Sequence, residues 1–220
     1  VNILKHVDMI YTASSTKNDY SMAVGIARQF IPETTEIKML RFPMTTDKAL
    51  THTAWQQNAR TVIEVLEQGK HAAFLTLGDP MTYSTYGYIM RNVRELAPHV
   101  TIKTVPGIAS YQAAAARLNT PLVEGKESLL LVSGVQGGKH IQHLNGKSEN
   151  VVILKAYRNV EDITSAIEND PSYTDCVGIK KCGLPDEEII RDMQRLKSMP
   201  PDYWTLIIAK KKSENGTQKS

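Results

Sequence analysis

Apolar residues along this chain fall into two kinds of segment. Short continuous runs, such as AAFLTL at 72–77 and VVIL at 151–154, have the length and density of strands buried on both faces of a parallel sheet. Between them lie longer stretches whose apolar positions recur at helical spacing. The clearest carries Trp55, Ala59, Val62, Ile63 and Leu66 on one side. It starts at Thr46 or Asp47, either of which can accept from the free amides of a first turn, and it stops at Gly69, suited to a left-handed cap.

Read in order, the pattern predicts the last turns of a helix over VNILKHV, a strand over DMIYTAS, a helix over 20–30 and a short strand near 37–40. The long helix and AAFLTL follow. A helix is then expected over 82–96, a strand over VTIKTV and an alanine-rich helix over 111–118. NTPLVEGKE, with Pro121 and Gly125, reads as a linker. After it come ESLLLVSG and VVILKAY as strands, a helix over 162–168, DCVGIKK as a strand, a helix over 186–196 and YWTLIIAK as a last strand. Strand, glycine-bearing turn and helix recur, which is the grammar of an α/β protein with mostly parallel strands. The expected organisation is an N-terminal α/β lobe over 1–120, a C-terminal α/β lobe over 121–213 and a polar tail over 214–220.

Bulk properties narrow this only a little. Of 220 residues, 41% are hydrophobic and 22% charged, the balance of an ordinary globular chain. No apolar run approaches the roughly 18 residues needed to cross a bilayer and no signal peptide opens the chain, which points to a cytoplasmic protein and no membrane partner. The net charge of +3 is mild and sits partly in KKKSENGTQKS, a segment without interleaved aromatics that is expected to be solvated and disordered at its end, not a nucleic-acid contact. Cys176 and Cys182 lack zinc-knuckle spacing and read as plain thiols. His140 and His143, three apart without a nearby carboxylate or cysteine, read as surface histidines, so no metal site is expected.

Ligands of open α/β sheets gather outside the carboxyl ends of the strands, and three such ends carry candidate chemistry. In LGDPMTYSTYGY, Gly78 lets a ligand approach the backbone, Asp79 can accept from a ribose or an amine, and Pro80 fixes the turn. Asp79 can equally cap a helix beginning near Thr82. In VPGIAS, the small residues Ala109 and Ser110 open a helix whose free amides can meet a polar group. Lys155–Tyr157 and Lys181–Leu184 form the third set. Each alone also suits an ordinary strand-to-helix turn. No G-x-G-x-x-G, phosphate-binding lysine loop or serine elbow occurs.

Taken together, Gly78-Asp79-Pro80, the VPGIAS segment about 25 residues later, the ARLNTPL stretch and the late strand pattern resemble the tetrapyrrole methylases. Within that family LGDPMTYSTYGYI and VPGIASYQAAAARLNTPLVEG look most like the precorrin-2 C-20 branch. The resemblance implies a two-lobed fold with a mostly parallel sheet in the first lobe, a mixed sheet in the second, and S-adenosylmethionine held between lobes. It places cofactor contacts on Leu77, Gly78, Asp79, Met81 and Thr82, on Ile108, Ala109 and Ser110, and on Lys155, Ala156, Gly183 and Leu184, with Asp79 as a catalytic candidate. It also implies a homodimer, a precorrin-2 or cobalt-precorrin-2 substrate, S-adenosylhomocysteine as product, and no nucleic acid. The family opens with a strand and a glycine- and proline-rich loop, which is missing ahead of Val1, so some 20 to 25 further residues are expected there, about one βα unit. The implied chemistry is an in-line attack of a nucleophilic meso carbon on the sulfonium methyl. Arg41, Lys17, Arg117 and Lys155 are candidate cations for the substrate's carboxylates. Relatives acting on RNA or protein, and a non-catalytic α/β module, are the rival readings.

Overall fold

The computed structural model describes residues 2–14, 21–143 and 148–212, apart from the side chain of His140. Val1, Lys17, Tyr20 and the tail at 214–220 lie outside the described residues. Contacts divide the chain into two compact units, Val1–Ile108 and Ala109–Ser220. The division precedes the NTPLVEGKE linker because the helix before that linker belongs to the second core: its Ala114 is fully buried among Val152, Leu154, Val177 and Ile179.

The first unit holds a parallel sheet of β1 (Met9–Ser14), β2 (Glu36–Arg41) and β3 (Ala72–Leu75), with β1 in the centre. Helix α1 (Met22–Ala27) joins β1 to β2, α2 (Lys48–Glu67) joins β2 to β3, and α3 (Tyr86–Leu96) follows β3. Asp47 caps α2, its carboxylate accepting from the amides of Ala49 and Leu50 at 2.9 and 3.1 Å. Ala59, Val62 and Ile63 of α2 and Ile89 and Val93 of α3 pack on Met9, Tyr11 and Leu40 of the sheet. The helical stripe read from the sequence is therefore the one that builds this core. All three strands run the same way, so Arg41, Ser14 and Leu75 bring their carboxyl ends to one edge.

The second unit opens with α4 (Ser110–Leu118) and builds a five-stranded mixed sheet in the order β4-β5-β8-β6-β7. The strands are β4 (Leu129–Ser133), β5 (Asn150–Leu154), β6 (Tyr173–Lys180), β7 (Glu188–Ile190) and β8 (Thr205–Lys211). The helices α5 (Gly138–Gln142), α6 (Val160–Glu168) and α7 (Met193–Ser198) complete it. Only β4 and β5 are parallel. Every residue of β5 is buried, as its unbroken apolar run predicts. Val151 and Ile153 face α5, α6 and α7, while Val152 and Leu154 face α4. Burying Ile153, Ile163 and Ile207 completely contributes about 1.5–3 kcal/mol each.

Four predicted elements differ. VTIKTV keeps strand-like alternation, Ile102 and Thr104 turned inward, but pairs with no strand among the described residues. The helix expected from Thr82 starts at Tyr86, because Tyr83 sits at φ 51 and a left-handed residue interrupts a helix. The helix expected over 186–196 is β7 followed by α7: Ile189 and Ile190 pair with Ile179 and Gly178, and a helix begins only where Asp192 caps Gln194 and Arg195. The N-terminal helical turns are a 3-10 turn, Ile3–His6. Among the described residues no helix is long and apolar enough to cross a membrane.

One carboxylate ties β4 to β5. Glu149 accepts the Ser128 amide at 2.8 Å and the Ser128 hydroxyl at 2.5 Å, and these bonds pull its pKa from the ordinary 4.5 to about 2. A depressed pKa means the contribution is fully present above the ordinary value and disappears as pH falls through about 2. Denaturant melts between pH 5 and pH 2 should therefore fall less steeply for Glu149→Gln than for the unaltered protein. Parallel slopes would show that this pair does not matter to folding.

Candidate functional site

In the first unit the two glycine turns of the sequence meet. A Cβ built on Gly107 would lie 2.3 Å from the carbonyl oxygen of Gly78, so the backbones approach more closely than any side chain allows. Gly78 itself sits at φ 74. It is required by its conformation whatever ligand passes, and a side chain there would strain the turn before meeting a cofactor.

Asp79 closes this junction. One carboxylate oxygen accepts the Met81 amide at 2.9 Å and the Thr82 hydroxyl at 3.2 Å; the other accepts the Gly107 amide at 3.0 Å. These bonds, that from Gly107 foremost and then that from Met81, hold its pKa below the usual carboxylate range against a smaller opposing effect of burial. Asp79 therefore braces one turn against the other and does not cap α3, which starts later. Around the junction the apolar side chains are uncovered: Leu77, Met81, Val105 and Ile108 are 40%, 61%, 53% and 72% exposed. Thr82 is half-buried beside them. The first unit thus brings Leu77, Gly78, Asp79, Met81, Thr82 and Ile108 into one place.

In the second unit β5 and β6 are both antiparallel to β8, so their carboxyl ends share an edge with its start. The Ala156 amide donates to Thr205 at 3.0 Å, and the Lys181 amide to Trp204 at 3.1 Å. Lys155 and Ala156 therefore stand on one side of β8, with Gly183 and Leu184 on the other. Ala156 is fully buried and Gly183 exposed. Burial lowers the Lys155 pKa. The same edge carries Tyr157, Tyr203 and Trp204, edge-to-face at 5.3 and 5.4 Å. At the start of α4, Ala109 is buried and its amide donates to Gln112 at 3.0 Å, so it is already satisfied. Ser110 is exposed.

Backbone strain gathers at these places. Among the described residues Tyr83, Asn119, Lys155 and Lys181 are the non-glycine residues at positive φ. Asn119 caps α4; the other three lie in the turns just described. Strain of roughly 1–3 kcal/mol per residue persists only where the surroundings over-determine it, and that is characteristic of ligand-binding turns.

Of the candidate cations, Arg117 is engaged by Glu187 at 2.6 Å. Arg41 is exposed, its carbonyl fixed by Asn58 at 2.8 Å. Lys17 is outside the described residues. Cys176 and Cys182 are free, and burial pushes the Cys176 thiol up to about 11. His143 follows α5 directly, and no group of three metal-ligating side chains occurs among the described residues. Sequence reasoning missed Glu187, which accepts the Gly183 amide at 2.8 Å.

The family profile described as Tetrapyrrole (Corrin/Porphyrin) Methylases matches residues 1–195. The chain belongs to this family. Among curated relatives, the cobalt-precorrin-2 C(20)-methyltransferase of Salmonella typhimurium is 27% identical, over 96% of this chain and 89% of that protein. The probable cobalt-precorrin-2 C(20)-methyltransferase of Methanocaldococcus jannaschii is 31% identical, over 86% of this chain and 78% of that one. A solved uroporphyrin-III C-methyl transferase from Thermus thermophilus, complexed with S-adenosyl homocysteine, superposes with a TM-score of 0.66. That match covers 95% of this chain and 83% of the other at 16% identity, which bears on the fold alone. The parallel sheet of the first unit and the mixed sheet of the second are those of the family.

Proposed function

We propose that this chain transfers a methyl group from S-adenosylmethionine to the C-20 meso carbon of precorrin-2 or cobalt-precorrin-2, in cobalamin biosynthesis. The observation that carries the reading is the Asp79–Gly107 junction at the sheet edge, with Leu77, Met81 and Ile108 uncovered around it. Two relatives named for this reaction, matched over most of their length, support the choice of substrate.

The residues suit an amphipathic methyl donor. In the first unit its proposed contacts are Leu77, Gly78, Met81, Thr82 and Ile108, with Asp79 as the brace behind them. In the second they are Ala109, Ser110, Lys155, Ala156, Gly183 and Leu184. The donor supplies an electrophilic methyl on a sulfonium, which a nucleophilic carbon can take without a protein nucleophile. The chain's part is orientation: apolar side chains hold the donor's carbon framework, and the strained turns fix where backbone groups point. Asp79 acts here by position. A carboxylate committed to three donors and held below its usual pKa is a weak proton acceptor, so the role proposed for Asp79 is to brace the turns and not to move a proton. Arg41, at the end of β2, is the proposed cation for a substrate carboxylate. A homodimer in the cytoplasm belongs to the same reading.

The test is incubation of purified protein with S-adenosylmethionine and precorrin-2, with and without cobalt, followed by mass analysis. One added methyl group, located at C-20 by NMR, is the expected product. A tetrapyrrole recovered unchanged under both conditions, or methylated at another position, would overturn the assignment.

A further inference from the structure

We infer that Glu187 is a positioning residue for the methyl donor, fixing the turn that presents Gly183 and Leu184; the inference rests on the function proposed above. That turn follows β6 and contains two left-handed residues, Lys181 at φ 49 and Gly183 at φ 76. Its own backbone bonds, Leu184 to Lys181 at 2.9 Å and Glu187 to Leu184 at 3.0 Å, set the coil of the loop but leave the Gly183 amide without an internal acceptor. Glu187 supplies one. One carboxylate oxygen accepts the Gly183 amide at 2.8 Å, and the other accepts Arg117 Nε at 2.6 Å. The Cys182 thiol also donates to Glu187.

The Glu187 side chain is 14% exposed, whereas that of Arg117 is 60% exposed. An ion pair with so open a partner adds little to stability, so the consequence of Glu187 falls on the turn. The pair also ties the turn to α4, which packs on the sheet. Beside Gly183 there is open space: a Cβ built there would meet no heavy atom within 4 Å. One side of the turn is thus held by the carboxylate and the other left clear for a ligand. The arrangement repeats in the second unit what Asp79 does in the first, a carboxylate accepting a glycine amide and a second donor at a strand end.

The experiment compares Glu187→Ala and Glu187→Gln with the unaltered protein. It measures S-adenosylhomocysteine affinity by calorimetry, kcat and KM for S-adenosylmethionine, and melting temperature. For the alanine variant Kd and KM should rise about tenfold or more, with kcat within about twofold of the parent and little change in melting. Glutamine keeps an acceptor oxygen for Gly183, and should recover affinity to within about threefold. If alanine does not fold, Glu187→Asp, which withdraws the carboxylate by one methylene, carries the same expected loss. Unchanged affinity in the alanine variant, or glutamine losing as much as alanine, overturns the inference while leaving the proposed function standing. Absence of binding by the unaltered protein overturns both.

Discussion

Gly107→Ala should lower methyl transfer about a hundredfold, the size of effect expected when reacting groups are displaced by about 1 Å. The new Cβ would stand 2.3 Å from the Gly78 carbonyl oxygen and 3.1 Å from its carbon. Both are backbone atoms, so no side-chain rotation relieves the clash, and one turn must move. The move breaks the Asp79–Gly107 bond and shifts Ile108 together with the Leu77–Thr82 turn. Overpacking of this kind costs about 1–3 kcal/mol, which for a chain of this size lowers the melting temperature by roughly 5 °C. Gly87→Ala is the control: it lies within α3, and a Cβ there meets nothing within 4 Å, so it should be neutral or slightly stabilising. A Gly107→Ala protein that melts and turns over like the Gly87→Ala control would mean that the close approach is unimportant.

Asp79→Asn separates the two halves of the brace. The asparagine carbonyl can still accept from Met81 and Thr82, but its amide group then faces the Gly107 N–H, donor against donor. The local turn should survive while the link to the neighbouring turn is lost. The expected result is S-adenosylhomocysteine binding about tenfold weaker or more, with little change in melting temperature. A pH series gives an independent reading. The Asp79 pKa is lowered in the fold, so its brace is fully present above the ordinary aspartate range near 4 and disappears as pH falls through the depressed value. Affinity of the unaltered protein should drop across that acid window; the asparagine variant should lack that component. Equal affinities at neutral pH would end the case for the brace.

These effects turn on a contact that the sequence contains without displaying. Gly78-Asp79-Pro80 and VPGIAS were each legible as turns at strand ends, because glycine, proline and an apolar run have local meaning. Their junction was not, since Asp79 and Gly107 are 28 residues apart and spacing reports no distance. Glu187 was hidden for the same reason: one partner is four residues away, but the other, Arg117, is 70 away. Where burial or a local cap decides, reading succeeded. The unbroken VVIL became the fully buried β5, and Asp47 capped α2. Where two periods compete, it failed. Ile189, Ile190, Met193 and Leu196 sit at spacings that suit a helix, yet tertiary pairing with β6 took the first two into β7. VTIKTV shows the converse: alternation records which side chains face inward, while a ladder needs a partner strand in register.

The place of β8 in its sheet has a consequence for how the protein is made. It is the last of the described strands, yet it lies in the middle of the sheet and joins the β4–β5 pair to the β6–β7 pair. A nascent chain that has not yet released residues 205–211 holds two separate two-stranded ribbons, and such ribbons are marginal in water. The three described strands of the first unit all lie before Ile108. Synthesis from the N-terminus therefore lets the unit that carries the Asp79 junction settle first, while the unit that carries Glu187 waits for residues 205–211.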